Sequence, residues 1–356
     1  MMTKTLAEYY ANNYTQCEID NSFLGSWRGL AYTSHLTQVI AVPIQLFTFY
    51  LIIYKTPNNM RCVKTPLLVT HSCCSLLDFS LGTLSTPYVF FPTCSMFGVG
   101  VLNLFPIPMI ILIILGMLVI FAMAVSLIYL FESRSSSIKD NKYRLESQSS
   151  RSIYYLLNYL SHCLLFIFFY NFPESEEIGK LAILDVIPCP TREFFEESVC
   201  VLLSDPIVMK IVCFIVLPLL GLLDAGQISF YLGCLIYHLY IAPSGSTSSK
   251  TRKLQKHFFI GIVAQSGIPL GIFVVTYVTG GILYLTDNLT QGLVNMSVVI
   301  FGVHGIAESL VIILVHSSYR STIRSFFTRA DNKVHTEIGK NFGNPIHSVS
   351  SFGGKP

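Results

Sequence analysis

The sequence predicts an all-α membrane protein, a bundle of seven transmembrane helices with the N-terminus outside and the C-terminus in the cytoplasm. Three observations support this: a long uncharged run, a composition poor in charge, and seven apolar stretches of membrane-spanning length. Residues 108–131 form a run of 24 residues with no charge. As a helix this run would reach about 36 Å, enough to cross a hydrocarbon core of roughly 30 Å. A soluble helix of that length would need a polar face, which this run lacks.

Composition supports a membrane protein and argues against several other classes. Charged residues make up 12% of the chain and hydrophobic residues 52%, with a mean hydropathy of +0.58. Soluble domains carry about twice that share of charge, roughly 25%. The net charge of +3 gives no support for nucleic-acid binding. The ten cysteines show no zinc-type spacing, and we expect no metal, no cofactor and no enzymatic activity.

Seven stretches qualify as spans, and the long uncharged run is the third of them. Residues 1–28 contain no apolar signal core, so we expect the first stretch to act as both signal and anchor. The predicted spans are residues 29–54, 66–91, 106–131, 153–172, 207–240, 257–285 and 294–317. We divide the chain into an extracellular segment 1–28, the bundle 29–318, and a cytoplasmic tail 319–356.

The basic residues set the predicted orientation. Eighteen Lys and Arg residues lie in the first, third and fifth connections and the tail, against four on the other side. Because basic loops stay in the cytoplasm, the N-terminus is predicted to be outside. In the tail, residues 319–329 place Ile323, Phe326 and Phe327 on one helical face, which predicts a short amphipathic helix on the inner membrane surface.

Four ionisable residues inside the predicted spans form a candidate intramembrane polar site: Asp78, Asp224, His304 and Glu308. Helical rise puts Asp78 and Glu308 at comparable depths, which allows a shared pocket with His71 or His304. Two carboxylates in one dry pocket repel, so one must be protonated or share a cation. The alternative is that each fills a separate polar gap. We name no partner for Asp224.

The sixth predicted span contains Gly267, Pro269 and Gly271. This pattern has two equally good interpretations: close helix packing at the glycines, or a hinge at the proline. On the outer side, Asn13 begins a glycosylation sequon far from the membrane. Cys17, Cys94, Cys189 and Cys200 are also predicted to lie there, where disulfides form.

Short motifs in consistent order run through the bundle from about residue 42 to 327. They are Lys55-Thr56-Pro57, Leu77-Asp78, Thr86-Pro87-Tyr88, Phe91-Pro92, Phe131-Glu132 with Arg134, Pro188-Cys189-Pro190, Gln255-Lys256, Gln265 with Pro269, and Tyr319-Arg320. With these motifs the chain resembles nematode serpentine chemoreceptors of class H, which are seven-helix G-protein-coupled receptors. Two positions depart from the family pattern: Ser133 stands where a larger amide residue is expected, and Ser318 where proline is expected.

The resemblance implies a chemosensory receptor that binds a small environmental cue in the bundle and activates a heterotrimeric G protein. It implies a plasma-membrane location, in the sensory cilia of chemosensory neurons, with contacts to membrane lipid; homo- or heterodimerisation stays open. The alternative is a polytopic transporter or channel that uses the intramembrane acids, although the internal repeats typical of many transporters are absent.

The resemblance also assigns residues to G-protein coupling. Glu132 is expected to hold Arg134 at the foot of the third span until helices move. The other expected coupling residues are Lys253, Lys256, Tyr319 and Arg320.

For the outer disulfide, Pro188 and Pro190 restrict the backbone around Cys189. We favour a bond from Cys189 to Cys17, which leaves Cys94 and Cys200 as a second pair. Receptors of this general type often anchor the loop at the position of Cys94, so Cys94–Cys189 is the alternative.

Overall fold

The computed structural model describes residues 5–19, 22–57, 61–138, 140–242, 249–325 and 328. Seven described helical segments are long and apolar enough to cross a membrane, which confirms the seven-span architecture. These segments, spans 1 to 7, are Trp27–Lys55, Lys64–Leu84, Met109–Ser136, Gln148–Asn171, Pro206–Ile241, Gln255–Leu285 and Gln291–Val315.

Spans 1, 3 and 6 are single α-helices, spans 2, 4 and 5 include turns of another helical type, and span 7 consists of two α-helices. The α-helices are α1 Leu6–Asn12, α2 Trp27–Lys55, α3 Arg61–Phe79, α4 Met109–Ser136, α5 Gln148–Cys163, α6 Glu176–Leu184, α7 Glu193–Glu196, α8 Pro206–Ile211, α9 Leu217–Ile236, α10 Ser249–Leu285, α11 Gln291–Phe301 and α12 His304–Val315. Turns of π-helix follow α3 (Ser80–Leu84), α8 (Val212–Val216) and α9 (Tyr237–Ile241), and a 3₁₀ segment, Leu164–Asn171, follows α5.

Span 2 ends seven residues earlier than predicted. The chain leaves the helix at Thr86, whose φ of 37° lies in the left-handed region, and Pro87 has no N–H to continue the helical ladder. Pro87–Val89 instead forms strand β1, which pairs with β2 (Ser95–Gly98), and β2 pairs with β3 (Cys200–Val201). This three-stranded antiparallel sheet departs from the all-α prediction.

The sheet belongs to a layer over one end of the bundle. We call this layer the cap; it comprises residues 5–19, 85–108 and 172–205. Its core is aromatic: the rings of Tyr88 and Phe97 lie 4.8 Å apart, those of Phe90 and Phe194 lie 5.1 Å apart, and all four side chains are buried. This aromatic core is continuous with buried residues of the membrane-spanning helices, such as Leu30 of span 1 and Ile113 of span 3.

The ends of spans 3 and 7 also differ from prediction. The helix of span 3 continues through Glu132 to Ser136, because other side chains satisfy the buried carboxylate. Span 7 is interrupted between Phe301 and His304, and its helix ends at Val315. His316 is extended, and a further helix covers residues 317–325. Phe326, Phe327 and Arg329 of the predicted amphipathic helix lie outside the described residues.

Candidate functional site

Asp78 lies at a buried junction of spans 1, 2 and 7. One of its carboxylate oxygens, Oδ2, accepts hydrogen bonds from Gln45 Nε2 at 2.7 Å and from the Gly305 backbone N–H at 2.9 Å. Its other oxygen, Oδ1, lies 2.6 Å from His304 Nδ1. The break in span 7 exposes the Gly305 N–H to the carboxylate at the start of α12. The interruption of the helix thus provides a binding group for Asp78.

Glu308 lies one helical turn further along span 7 and binds to spans 2 and 6. His71 Nδ1 is 2.7 Å from its Oε2, and Gln265 Nε2 donates to its Oε1 at 2.7 Å. The carbonyl of Gln45 lies 3.3 Å from the second nitrogen of His71, Nε2. Gln45 therefore connects the Asp78 group with the Glu308 group in one polar network.

The polar network is fully buried, since the Asp78, His71, His304 and Glu308 side chains are 0% exposed. Each carboxylate has an imidazole partner, so the two acids need not repel each other across a dry pocket. The structure thus brings Asp78, His304 and Glu308 of the predicted intramembrane site together, and both His71 and His304, which the sequence offered as alternatives, contact an acid. Both acids therefore have polar partners within the protein.

Asp224 does not take part in the polar network, contrary to the predicted site. Its Oδ2 lies 3.0 Å from His162 Nε2, between spans 4 and 5. His162 is held in place because its Nδ1 lies 2.8 Å from the carbonyl of Asn158. This contact forms a separate pair, and the partner histidine on span 4 was not predicted.

At the foot of span 3, Glu132 contacts span 4 instead of Arg134. Arg151 donates to Glu132 Oε2 through Nη2 at 2.7 Å and through Nε at 3.2 Å, and the Tyr155 hydroxyl donates to the same oxygen. Ser136 donates to Oε1 at 2.6 Å. The expected Glu132–Arg134 pairing is wrong for this conformation, because Glu132 faces span 4.

Arg134 faces spans 5 and 6. Its guanidinium carbon lies 5.4 Å from the ring centre of Phe258, and the side chain lines a small pocket with residues of both spans. Nearby on span 6, Lys256 Nζ lies 4.1 Å from the ring centre of Tyr240, and Lys253 is exposed. The predicted basic residues of spans 3 and 6 therefore lie at the same end of the bundle.

Tyr319, predicted as a coupling residue, is fully buried. Its hydroxyl is 2.8 Å from Thr56 Oγ1 after span 1, and burial raises the pKa of this tyrosine although the Thr56 bond opposes the shift. Arg320 donates to the last carbonyls of span 7, at Leu314 and Val315. In this conformation both residues fix the end of span 7.

His316 contributes to the same junction. Burial and the nearby positive charges of His257, Arg134 and Arg320 lower its pKa to about 4. The ring is therefore neutral at physiological pH, and it stacks on Tyr319 at 5.2 Å.

A Cβ built at Gly267 or Gly271 of span 6 would meet no described atom within 4 Å, so these two glycines have no close packing partner among the described residues of this chain. The helix runs without interruption through Pro269. The hinge stays a prediction.

In the cap, a disulfide joins Cys17 to Cys189. Tyr14, close by, donates its hydroxyl to the carbonyl of Pro190 at 2.9 Å and is buried. The expected second pair, Cys94–Cys200, and the alternative pair, Cys94–Cys189, are both absent. The sulfur of Cys94 faces Cys213 on span 5 instead. Asn13 is exposed, and its glycosylation stays a prediction.

An apolar cavity of about 250 Å³ lies between the cap and spans 2, 3, 6 and 7. It is lined almost wholly by hydrophobic and aromatic side chains, with Thr276 and Ser297 among its few polar groups. Its lining is Leu77, Leu81, Pro87, Val89, Phe91, Ile120, Phe273, Thr276, Tyr277, Gly280, Leu289, Val294, Ser297, Val298 and Phe301. Sequence reasoning missed this site, because apolar residues lining a cavity look like core residues and β1 was assigned to a helix.

Seven apolar spans, a buried polar junction and an apolar cavity at one end define a seven-helix membrane protein. The family profile described as serpentine type 7TM GPCR chemoreceptor Srh matches residues 25–329. A relative from Caenorhabditis elegans, serpentine receptor class H-72, is 31% identical over 355 residues, covering 99% of both chains. The chain belongs to the Srh family of serpentine chemoreceptors, which are receptors and not enzymes. No solved structure matches the chain.

Proposed function

We propose that this chain is a chemosensory receptor that binds a small, uncharged cue in the apolar cavity and activates a heterotrimeric G protein at the opposite end. The cavity is the observation that carries the proposal. An apolar cavity of about 150 Å³ holds benzene, so 250 Å³ has room for a molecule of about ten non-hydrogen atoms. No charged side chain lines it, which favours neutral ligands.

Two aromatic residues connect the cavity with the polar network. Phe273 on span 6 and Phe301 on span 7 stack at 4.9 Å, and both line the cavity. The ring of His304 lies 5.3 Å from Phe273, and its Nδ1 is 2.6 Å from the Phe301 carbonyl. A ligand that displaces either phenylalanine would therefore disturb the contact between His304 and Asp78. That contact holds spans 2 and 7 together, so its disturbance would reach the far end of the bundle.

At that far end, basic side chains from spans 3 and 6 and from the end of span 7 lie together. Arg134, Lys253, Lys256 and Arg320 lie there, and G-protein coupling is the general property of the receptor class. In this proposal the cap and segment 1–28 are extracellular, the bundle covers 29–318, and the tail 319–356 lies in the cytoplasm of a chemosensory cilium.

The test places a large side chain in the cavity and compares its effect with that of the same side chain on the exposed face of span 6. Thr276→Trp would fill the cavity, whereas Val275→Trp adds the same side chain at a neighbouring position that is 64% exposed on the outer face of span 6. Cells expressing each variant are exposed to neutral volatile alcohols, ketones and aromatic compounds, with a second-messenger readout at matched surface levels.

We expect Thr276→Trp to lower the potency of active compounds at least tenfold and Val275→Trp to leave it unchanged. Equal responses of the two variants would contradict binding in this cavity. Activation by charged compounds alone would contradict the proposed ligand class.

A further inference from the structure

Two cysteines outside the disulfide face each other at the edge of the cap. Cys94 lies in the hairpin between β1 and β2, and Cys213 lies in the π-helical turn of span 5. Their sulfur atoms are 3.7 Å apart, although the residues are 119 positions apart in the chain. A disulfide needs a sulfur–sulfur distance of about 2.05 Å, so the two atoms would have to approach by only about 1.7 Å.

Backbone contacts hold both cysteines at this site. The carbonyl of Cys94 accepts the N–H of Leu202 at 2.8 Å, which fixes the hairpin to the chain beyond β3. The carbonyl of Cys213 accepts the hydroxyl of Tyr277 on span 6. The thiol of Cys213 donates to the Pro92 carbonyl in the same hairpin at 3.4 Å. The two thiols therefore meet because the surrounding backbone holds them together.

The compartment also favours oxidation. Cys94 and Cys213 lie at the end of the bundle that carries the Cys17–Cys189 disulfide. Disulfides form and persist where the surroundings are oxidising. Any compartment that oxidises Cys17 and Cys189 during folding also reaches the hairpin that contains Cys94.

We propose that Cys94 and Cys213 form a second disulfide, which fastens the cap hairpin to span 5. The oxidant is a disulfide of the folding compartment, either a thiol–disulfide oxidoreductase or a small-molecule disulfide. One cysteine thiolate attacks that disulfide and displaces one of its sulfurs, and the second cysteine then displaces the other. Each cysteine loses one proton, their two electrons reduce the oxidant's S–S bond, and the oxidant leaves as two thiols.

The bond would hold the hairpin beside Tyr277, which lines the apolar cavity. The proposal stands on the cysteine geometry and does not depend on which ligand the receptor binds.

The first experiment maps disulfides in the unaltered full-length receptor. Membranes from expressing cells are lysed in N-ethylmaleimide to block free thiols, and the protein is digested without reduction and analysed by mass spectrometry. We expect one cross-linked fragment with the peptides around Cys94 and Cys213, lost on reduction. Alkylation of both thiols would overturn the proposal, as would a bond from Cys94 to Cys189 or Cys200.

The second experiment removes one partner. In Cys213→Ala, Cys94 should change from protected to fully alkylated before reduction. The matched control is Cys234→Ala, also on span 5, which should leave Cys94 protected. If Cys94 stays protected in Cys213→Ala, it has another partner and the proposal is wrong. Mapping of the unaltered receptor decides the question even if a variant fails to reach the membrane.

Discussion

Replacing Gly305 with alanine tests how tightly the polar network packs where span 7 is interrupted. A Cβ at this position would lie 2.4 Å from Asp78 Oδ2 and 3.0 Å from Gln45 Nε2. The carboxylate cannot move away freely, because its other oxygen lies 2.6 Å from His304 Nδ1. The added methyl group must therefore displace Asp78 Oδ2 from the two N–H donors that bind it.

The expected loss follows from these contacts. Each hydrogen bond to a charged group contributes about 1.5–3 kcal/mol, so weakening both bonds to Asp78 Oδ2 costs about 3 kcal/mol. Alanine regains about 1 kcal/mol through its higher helix propensity. The net destabilisation is about 2 kcal/mol, which in a bundle of this size lowers the unfolding temperature by about 3 °C.

The assay is thermal unfolding of the detergent-purified receptor, followed with a dye that reacts with newly exposed cysteine thiols. The matched control is Gly221→Ala on span 5, where an added Cβ meets no described atom within 4 Å. We expect the control to unfold at the wild-type temperature or slightly above it. If the two alanine variants are equally stable, the packing argument for the network fails.

Two further predictions concern charge pairs on either side of the bundle. Arg151→Gln removes the cationic partner of buried Glu132 and should cost about 2–3 kcal/mol, since breaking a buried pair costs about 3–5 kcal/mol and two hydroxyl donors remain. Arg144→Gln breaks the exposed pair with Glu146 and should cost less than about 1 kcal/mol. Equal melting temperatures of the Arg151 and Arg144 variants would refute this difference between a buried and an exposed pair. In the cap, partial burial raises the pKa of Glu176, but the hydrogen bonds from Lys180, the Val199 N–H and Ser198, with the charge of Lys180, together outweigh burial and lower it. Its contribution to stability is therefore complete above its ordinary pKa of 4.5 and is lost as pH falls through the lower folded value. Hydrogen exchange of β3, corrected for intrinsic rates, should rise below pH 4.5 in the wild type and show no such step in Glu176→Gln.

The spans could be predicted because membrane insertion depends on local composition. The run ending at Phe131 has no polar face, so it forms a membrane-spanning helix whichever helices pack against it. Depth also follows from local geometry, because helical rise fixes how far Asp78 and Glu308 lie from the membrane surface. These properties depend on residues close together in the chain, and they allowed a shared pocket for the two acids to be considered.

Partner choice could not be predicted, because it depends on how helices rotate against each other. Glu132 precedes Arg134 by two positions, so the two side chains point in different directions around the helix, and Glu132 faces span 4. The strand at Tyr88 was missed for a related reason. Its apolar neighbours suit a helix or a strand, and pairing with Phe97 across the hairpin decides between them.

The bond between Cys17 and Cys189 affects how receptor association should be measured. Cys189 is exposed at the surface of the cap, and its sulfur is occupied by a residue of the N-terminal segment. A receptor shortened to remove Cys17 would carry a lone reactive thiol on that surface. Two such chains could then become covalently joined through Cys189 under oxidising conditions. A dimer band from such a truncated receptor on a non-reducing gel would arise from an intermolecular disulfide at the unpaired Cys189. It would not be evidence that two native receptors associate.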